Sequence, residues 1–217
     1  MIELVNVSKI YRLSDREVMA LDSVNLTIQN NDYVSIVGHS GSGKSTLLNI
    51  LAGYESIDDG QYYYNSFNVS KFSKNELNKF NKKIGFIFQD YQLLNYMPVK
   101  ENILLGSIYT KKRTNKNKLI NIAKKLKIDD LLNKYPWQLS GGEKQRVAIA
   151  RILLTKKTLI LADEPTGALD KENALMIMSL FEEMHNNGMT IILVTHDEKV
   201  AACSKRIIRM ENGHVLT

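Results

Sequence analysis

The segment Gly38–Ser45 restricts the possible folds of this chain more than any other part of the sequence. Its letters, GHSGSGKS, match the pattern G-x-x-x-x-G-K-[ST], whose glycines let the backbone curl until successive N–H groups point inward at phosphate oxygens. An apolar run, Tyr33–Val37, precedes the segment, and a helical pattern over Lys44–Ala52 follows it. A buried strand, a glycine-rich turn and a helix in that order predict a phosphate-binding loop in an α/β fold. The alternative is a glycine- and serine-rich turn that binds nothing.

The residues of this loop have separate expected contacts with a bound phosphate chain. Lys44 is expected to reach the β- and γ-phosphates, Ser45 to ligate Mg²⁺ through its hydroxyl, and Thr46 to add a hydrogen bond. The positive end of the following helix favours the same anion. The remaining residues of the cradle are Gly38, His39, Ser40, Gly41, Ser42 and Gly43.

Short apolar runs alternate with helical patterns along the chain, which predicts an α/β fold with a mainly parallel sheet. The strands are predicted at 2–7, 24–28, 33–37, 61–64, 84–88, 158–162, 190–194, 207–210 and 214–216, and helices at 44–52 and 173–184. From about 91 to 154 the pattern is mostly helical, which predicts a second lobe. Within it, 111–118 is polar and is expected to be a loop or a helix start. Asn212-Gly213 predicts a tight hairpin turn near the end.

Composition narrows the class of protein. The 217 residues suit one large domain, or a core with a smaller subdomain. Because the sequence contains no run of about eighteen apolar residues and no pattern of a secretory signal, neither a membrane span nor secretion is expected. Cys203 is the single cysteine, which fits a reducing compartment. The net charge is +6, but the basic residues are spread out, apart from small clusters such as Lys111–Arg113, and nucleic acid is not the expected partner.

Polar residues follow three of the predicted strands. Asp163 and Glu164 come after the apolar run that ends at Ala162, at the strand end where ligands of open α/β sheets bind. Asp163 is expected to hold hydrated Mg²⁺, and Glu164 to accept a proton from the attacking water or to orient it. His196 could hydrogen-bond the γ-phosphate, and the amide of Gln89 could touch Mg²⁺ or the water. The alternatives without a catalytic role are a helix cap for the acidic pair and ordinary surface positions for His196 and Gln89.

A second glycine-containing segment, Leu139–Arg146, reads LSGGEKQR. Ser140 and Glu143 have the spacing of a capping box, which predicts a helix start. Two consecutive glycines, Gly141 and Gly142, exceed what a cap requires, and they allow a backbone to approach a phosphate closely.

The order of these motifs resembles that of the ATP-binding subunit of an ABC transporter over essentially the whole chain. The motifs are Tyr11, the phosphate loop, Gln89, Leu139–Glu143, Asp163-Glu164, Ala168-Leu169-Asp170 and His196. The resemblance implies a P-loop NTPase with a mainly parallel core of the RecA type, an antiparallel β subdomain and an α-helical signature subdomain. It places the core and the β subdomain at about 1–90 and 155–217, and the helical subdomain at about 91–154.

The resemblance also implies functional roles. Tyr11 would stack on adenine, Gln89 would sense Mg²⁺ and contact a membrane partner, and Glu164 would be the catalytic base. His196 would hold the γ-phosphate and the water, and Asp170 would connect the two sites of a dimer. The residues Ser140, Gly141, Gly142 and Glu143 would face the ATP held by a second copy, so that two chains complete two sites.

Finer matches indicate a subgroup. Two segments, DEPTGALD and GFIFQDYQLL, resemble the corresponding segments of macrolide exporters, lipoprotein-release ATPases and bacitracin-type peptide-resistance transporters. A third segment, MPVKENILL, is similar to that of the bacitracin-type transporters. The expected function is therefore MgATP hydrolysis that powers a separate integral-membrane permease from the cytoplasmic face, for export or extraction of a peptide, antibiotic or lipid-linked substrate. The alternative within the family is a force-transmitting or peptide-sensing complex that moves no cargo. Cassettes of translation or DNA repair, and small-molecule kinases, fit the motifs less well.

Overall fold

The computed structural model describes residues 1–107, 116–167 and 169–216. The strands are β1 (Ile2–Arg12), β2 (Glu17–Ile28), β3 (Tyr33–Val37), β4 (Asp59–Tyr64), β5 (Phe67–Asn68), β6 (Ile84–Ile87), β7 (Leu159–Asp163), β8 (Thr190–Val194), β9 (Arg206–Glu211) and β10 (His214–Leu216). The α-helices are α1 (Lys44–Ala52), α2 (Lys74–Asn81), α3 (Val99–Leu104), α4 (Lys116–Lys125), α5 (Gly141–Leu153), α6 (Lys171–Asn186) and α7 (Glu198–Ala201).

The larger sheet has six strands in the order β10-β9-β3-β8-β7-β6. All neighbours from β9 to β6 pair in parallel, and only β10 pairs antiparallel with β9. The central strands are buried on both faces, which explains why β3, β7 and β8 read as continuous apolar runs rather than alternating ones. The predicted α/β fold with a mainly parallel sheet is confirmed.

The smaller sheet has four strands in the order β2-β1-β4-β5, and its pairs are antiparallel. Strands β1 and β2 are longer than the sequence predicts, because β1 continues past Val7 to Arg12 and β2 begins before Val24, at Glu17, and these added ends pair with each other. The register of their pairing shifts at three places, so the alternation is irregular there.

The six-stranded sheet separates two apolar clusters. One contains the buried side chains of α1, β1, β2 and β4, together with one face of the sheet. The other contains those of α3, α4, α5 and α6, together with the opposite face. Neighbouring residues of β8 alternate between the clusters: Ile192 belongs to the first, and Ile191 and Leu193 belong to the second. The first cluster thus packs the antiparallel sheet against the strands that lead to the phosphate loop.

Several predictions of element bounds need adjustment. The sequence pattern does not predict strand β5 or the helices α2 and α7, because these elements are short and polar. Helix α6 begins at Lys171 rather than 173, since Asp170 caps it by accepting a hydrogen bond from the N–H of Asn173. Residues 111–115, with the basic cluster Lys111–Arg113, lie outside the described residues, and 116–118 begin α4. The subdomain boundaries near 90 and 155 stay a prediction.

The hairpin between β9 and β10 supports the phosphate loop. Asn212 and Gly213 have φ values of 47° and 83°, as the expected tight turn requires. The N–H of Gly213 donates to the carbonyl of Ser42 at 3.2 Å, and the carbonyl of Gly213 accepts from the N–H of Asp22 at 3.0 Å. The turn therefore links the loop to β2.

Among the described residues, no helix combines the length and the apolar character that crossing a membrane requires.

Asn102 fixes the segment that follows the strand β6. Its side chain is fully buried on α3, where Oδ1 accepts from the N–H of Leu94 at 2.8 Å. Its Nδ2 donates to the carbonyls of Leu94 and Met97 at 3.1 and 2.9 Å. One side-chain amide thus binds three backbone groups of a loop that lies outside the helices and strands.

We expect Asn102→Ala to lower the free energy of unfolding by about 2–3 kcal/mol, because the N–H of Leu94 and the carbonyl of Met97 lose their side-chain partner in a partly buried place. Urea denaturation measures the change. Lys100→Ala, on the exposed side of the same helix, is the control and should change stability by less than about 0.5 kcal/mol. Equal stability of the two variants would contradict the role of the amide.

Candidate active site

The candidate site lies where the parallel strands of the larger sheet end. Strand β3 runs into the phosphate loop, β8 into Thr195 and His196, β7 into Asp163 and Glu164, and β6 toward Gln89. Since β3, β8, β7 and β6 are consecutive parallel neighbours, their carboxyl ends share one edge of the sheet. Chain segments more than a hundred residues apart in sequence therefore meet there.

At two positions of the loop, neighbouring backbone lies so close that only glycine fits. A Cβ on Gly38 would lie 2.2 Å from the carbonyl oxygen of Met210 on the neighbouring strand β9. A Cβ on Gly43 would lie 2.3 Å from the carbonyl oxygen of Ala20, and its φ of 96° is in the left-handed region. The loop is therefore held against β2 and β9 at distances that only glycine permits.

Lys44 is enclosed by the loop that it follows. Its Nζ donates to the carbonyls of Gly38 and His39, each at 2.7 Å, and lies 3.3 Å from Oγ of Ser42. Burial lowers the pKa of Lys44 below its ordinary value, while the carboxylates of Glu164 and Asp163 oppose the shift. The ammonium thus lies within electrostatic reach of both acidic residues.

Asp163 ends strand β7 beside Ser45. Burial raises the pKa of Asp163 above its ordinary value, and the nearby charge of Glu164 raises it further. The hydrogen bond from Ser45 and the positive charge of Lys44 lower this pKa, but they do not cancel the effect of burial. Gln89 lines the same cavity. A hydroxyl, a carboxylate and an amide oxygen form a donor set that suits Mg²⁺, which prefers oxygen ligands.

The carboxylate of Glu164 is held from two directions. Its Oε2 accepts from Oγ1 of Thr195 at 3.2 Å, and its Oε1 lies 2.7 Å from Nδ1 of His196. An ionised carboxylate only accepts hydrogen bonds, so the imidazole proton sits on Nδ1. The backbone of Glu164 has a φ of 45°, which is uncommon for a non-glycine residue and typical of functional sites. Thr195 itself is 1% exposed.

A cavity of about 960 Å³ joins these groups. Tyr11, Val18 and Met19 of the antiparallel sheet line it together with the strand ends. The predicted residues at its wall are Tyr11, Gly38, His39, Ser40, Gly41, Gly43, Lys44, Ser45, Thr46, Gln89, Asp163, Glu164 and His196. Ser42 is 4% exposed and does not line it. The volume is in the usual range for a small-molecule site.

The segment Ser140–Glu143 is not part of this cavity. Ser140 accepts from the N–H of Glu143 at 3.3 Å, and the Glu143 carboxylate accepts from the N–H of Ser140 at 2.7 Å, so the predicted capping box at the start of α5 is confirmed. Ser140 is exposed at this helix end. Within one chain, the two glycine-containing segments therefore remain separate.

Several residues that contact the predicted site residues, or the loops that carry them, are not predicted by any sequence motif. Asn173 lies over Gly142, whose Cβ would be 2.8 Å from Cγ of Asn173, and it accepts a hydrogen bond from Arg146 while donating to Asp170. Arg151 binds the carbonyls of Tyr91 and Gln92 at 3.0 and 2.7 Å. With Thr195, these are contacts between distant segments, and no local motif marks them. Ala168, between the two carboxylate motifs, lies outside the described residues.

Comparisons with known proteins agree with this geometry. The family model described as ABC transporter matches residues 21–167. The chain is 42% identical over 220 residues to a macrolide export ATP-binding/permease protein, MacB, of Hyphomonas neptunium, covering 100% of this chain and 34% of that protein. It is 40% identical to an uncharacterized ABC transporter ATP-binding protein, MJ1508, of Methanocaldococcus jannaschii, covering 100% of this chain and 98% of the other.

Solved structures are similar over the whole chain. A dimeric ABC transporter cassette, MJ0796, superposes with a TM-score of 0.93 at 38% identity, covering 100% of this chain and 97% of that one. The cbiO1 protein of Clostridium perfringens, part of the ABC transporter complex cbiONQ, gives a TM-score of 0.86 at 29% identity, with coverage of 100% and 86%.

The chain therefore belongs to the ABC transporter family, and its fold is that of the family's ATP-binding cassettes, as the motifs predicted. The similarity to macrolide export proteins agrees with the predicted subgroup. The chain spans about a third of the length of those curated relatives, 34% in the example above.

We expect Asp163→Asn to raise the melting temperature at pH 7 and to lose that gain in acid. The folded-state pKa of Asp163 is raised, so above that pKa the folded protein bears the cost of a buried charge that the unfolded chain does not. Below the ordinary value of 3.8 the carboxyl is protonated in both states and the cost disappears. The asparagine removes the charge at every pH.

Melting temperatures measured from about pH 3 to about pH 8 test this expectation. Asp15→Asn, which changes an exposed aspartate outside the cavity, is the control and should show no such pH-dependent gain. A lower melting temperature for Asp163→Asn at pH 7 would show that the interactions with Ser45 and Lys44 outweigh the cost of burial.

Proposed function

We propose that this chain binds MgATP and hydrolyses it by in-line attack of water on the γ-phosphate, as the ATPase subunit of an ABC transporter. The observation that carries the proposal is the convergence of Lys44, Asp163, Glu164 and His196 on one cavity, with Tyr11 at its wall. Membership in the family supports the same activity. A solved relative of 37% identity is described as a post-hydrolysis state bound to ADP and Pi.

The phosphate chain would bind in the loop that follows β3. Backbone N–H groups of Gly41, Gly43 and their neighbours would donate to its oxygens, and the start of α1 would add partial positive charge. Lys44 would exchange its hydrogen bonds with the carbonyls of Gly38 and His39 for the β- and γ-phosphates. Its charge would then stabilise the negative charge that spreads over the γ-phosphoryl oxygens in the transition state.

Ser45, Asp163 and Gln89 would hold Mg²⁺, because Ser45 is hydrogen-bonded to Asp163 and the oxygen donor of Gln89 lines the same cavity. The bound ion would neutralise charge on the β- and γ-phosphates. The raised pKa of Asp163 fits this role, since a buried carboxylate gains when a cation replaces the water that it has lost.

Glu164 would accept the proton of the attacking water or orient that water. Thr195 and His196 already fix both of its carboxylate oxygens, so the group is preorganised. With Nδ1 of His196 donating to Glu164, a hydrogen bond from Nε2 to the γ-phosphate would require the doubly protonated imidazolium, in which both ring nitrogens are donors. Tyr11 would stack on adenine, a contact of about 1–3 kcal/mol per base in other proteins.

The active form would be a dimer with two ATP molecules between the chains. Ser140, Gly141, Gly142 and Glu143 would contact the ATP held by the second copy, and Asp170 would connect the two sites. Two observations support this arrangement: Ser140 is exposed at a helix N-terminus outside the cavity of its own chain, and the MJ0796 cassette has a dimeric structure.

Hydrolysis would act on an integral-membrane permease from the cytoplasmic side of the membrane. Gln89, at the start of a loop that Arg151 holds to α5, is the proposed contact with that partner. Export is the favoured task, because relatives that match the whole chain are described as macrolide export proteins, and the substrate class is a peptide, an antibiotic or a lipid-linked molecule.

Glu164→Gln should retain ATP binding and lose most turnover, by about a hundredfold or more, because the amide keeps the size of the side chain and not its basicity. Phosphate release measures turnover and calorimetry measures binding. Glu182→Gln, on the exposed side of α6, is the control and should hydrolyse at the normal rate. Normal turnover in Glu164→Gln would refute the proposed base.

Ser140→Ala should reduce ATP-driven dimerisation, while ATP binding to a single chain stays nearly unchanged. The structure offers a matched control, because Ser73 forms the same capping box at the start of α2. Both variants lose a helix cap, at a cost of about 1 kcal/mol. Only Ser140→Ala removes a proposed contact with the partner's ATP.

Dimerisation is measured by light scattering with ATP, in a Glu164→Gln background so that turnover is slow. Loss of the dimer in Ser140→Ala with retention in Ser73→Ala is the expected result. Equal behaviour of the two variants would mean that Ser140 does nothing beyond capping α5.

A further inference from the structure

Lys9 is a buried cation on β1 that the mechanism above does not use. Its side chain is 8% exposed, which is rare for a lysine. It lies two residues before Tyr11 on the same strand. An ammonium in such a place needs partners to offset the water that it has lost.

Two carboxylates supply those partners. Nζ of Lys9 is 2.8 Å from Oε1 of Glu55 and 3.6 Å from Oδ2 of Asp58. Asp58 is itself fixed, because its Oδ2 accepts from the N–H of Ile10 at 2.7 Å. Burial lowers the pKa of Lys9, but its ion pairs with Glu55 and Asp58 outweigh that effect and leave the pKa raised. The ammonium is therefore charged and fixed in position.

The same ammonium lies over the ring of Tyr11, 5.5 Å from its centroid. This is a cation–π distance, and it covers one face of the ring. Tyr11 lines the nucleotide cavity and Lys9 does not. Lys9 therefore does not face the cavity itself, and Tyr11 is a cavity residue that its ammonium contacts.

We propose that Lys9 is a positioning residue, held by Glu55 and Asp58, that fixes the Tyr11 ring so that its opposite face receives the adenine base. The inference rests on the proposed function, since it needs adenine at Tyr11. If the Tyr11 ring were free to rotate, stacking the base on it would cost the conformational entropy of that side chain. A ring that a cation already holds in place loses less entropy when the base binds. Lys9 thus raises affinity for the base and leaves affinity for the phosphate chain unchanged.

The test compares Lys9→Met with the original protein for two ligands, ATP and tripolyphosphate, which has the phosphates and no base. Calorimetric titration in EDTA prevents turnover. We expect ATP affinity to fall about twofold to tenfold, as for one side chain that must be ordered on binding, with tripolyphosphate affinity unchanged. A general loss of structure would weaken both ligands alike, and that outcome would overturn the proposal.

Arg12→Met is the matched control. Arg12 is a cation on the same strand next to Tyr11, paired with Glu17 at 3.1 Å, and its side chain is 71% exposed. Its removal changes the net charge by the same amount, so any long-range effect of charge on ATP would appear in both variants. We expect ATP affinity in Arg12→Met to stay within about twofold of the original.

A double-mutant cycle separates this inference from the proposed function. In a Tyr11→Ala background, Lys9→Met should weaken ATP no further, because the ring through which it acts is gone. If Tyr11→Ala alone leaves ATP affinity unchanged, the adenine assignment fails, and this inference fails with it. If Tyr11→Ala weakens ATP and Lys9→Met does not, only the role of Lys9 is overturned.

Lys9→Met leaves Glu55 without its nearest partner, which could prevent folding. The variant Lys9→Met with Glu55→Gln removes that unpaired charge and keeps the size of both side chains. It should show the same selective loss of ATP affinity, and normal ATP affinity in this folded variant would overturn the proposal.

Discussion

The parallel pairing of β3, β8 and β7 is the constraint on which the site depends. Each strand is buried on both faces, and each ends at the same edge with a residue that can bind phosphate or metal, or handle a proton. The two apolar clusters, one on each face of the sheet, fix the positions of these strands relative to one another along the strand direction. Because interiors are packed as densely as organic crystals, a shift of one strand would strain both clusters. The spacing between Lys44, Glu164 and His196 is thus set by apolar packing.

Much of this arrangement could be predicted from local sequence. The phosphate loop, the Asp163-Glu164 pair and the capping box at Ser140 are each contained in a few consecutive residues, and their chemistry follows from residue type and spacing. The core strands were found because a strand buried on both faces is a short, uninterrupted apolar run. Helix α2 was missed, since it has a polar surface and one buried residue, Phe80.

The contacts that hold the functional groups could not be predicted, because their partners are far apart in sequence. Thr195 donates to a glutamate 31 residues away, and Lys9, whose ammonium lies over the Tyr11 ring, pairs with Glu55 and Asp58 of another segment. Hydroxyl and amino groups of this kind occur at many positions, so residue type alone does not indicate them. The register shifts in β1 likewise depend on its pairing with β2 and β4, which local sequence does not encode.

The hairpin at Gly213 also has a consequence for biosynthesis. The phosphate loop precedes β9 and the hairpin in the sequence, yet it packs on the carbonyl of Met210 and accepts a hydrogen bond from Gly213. A ribosome must therefore synthesise about 170 further residues before the loop meets these neighbours. A nascent chain could form α1 and the antiparallel sheet earlier, but its nucleotide site would still lack one wall. Completion of the site is thus tied to β9 and to the hairpin that follows it, so that a cassette synthesised only as far as β8 carries an unfinished pocket.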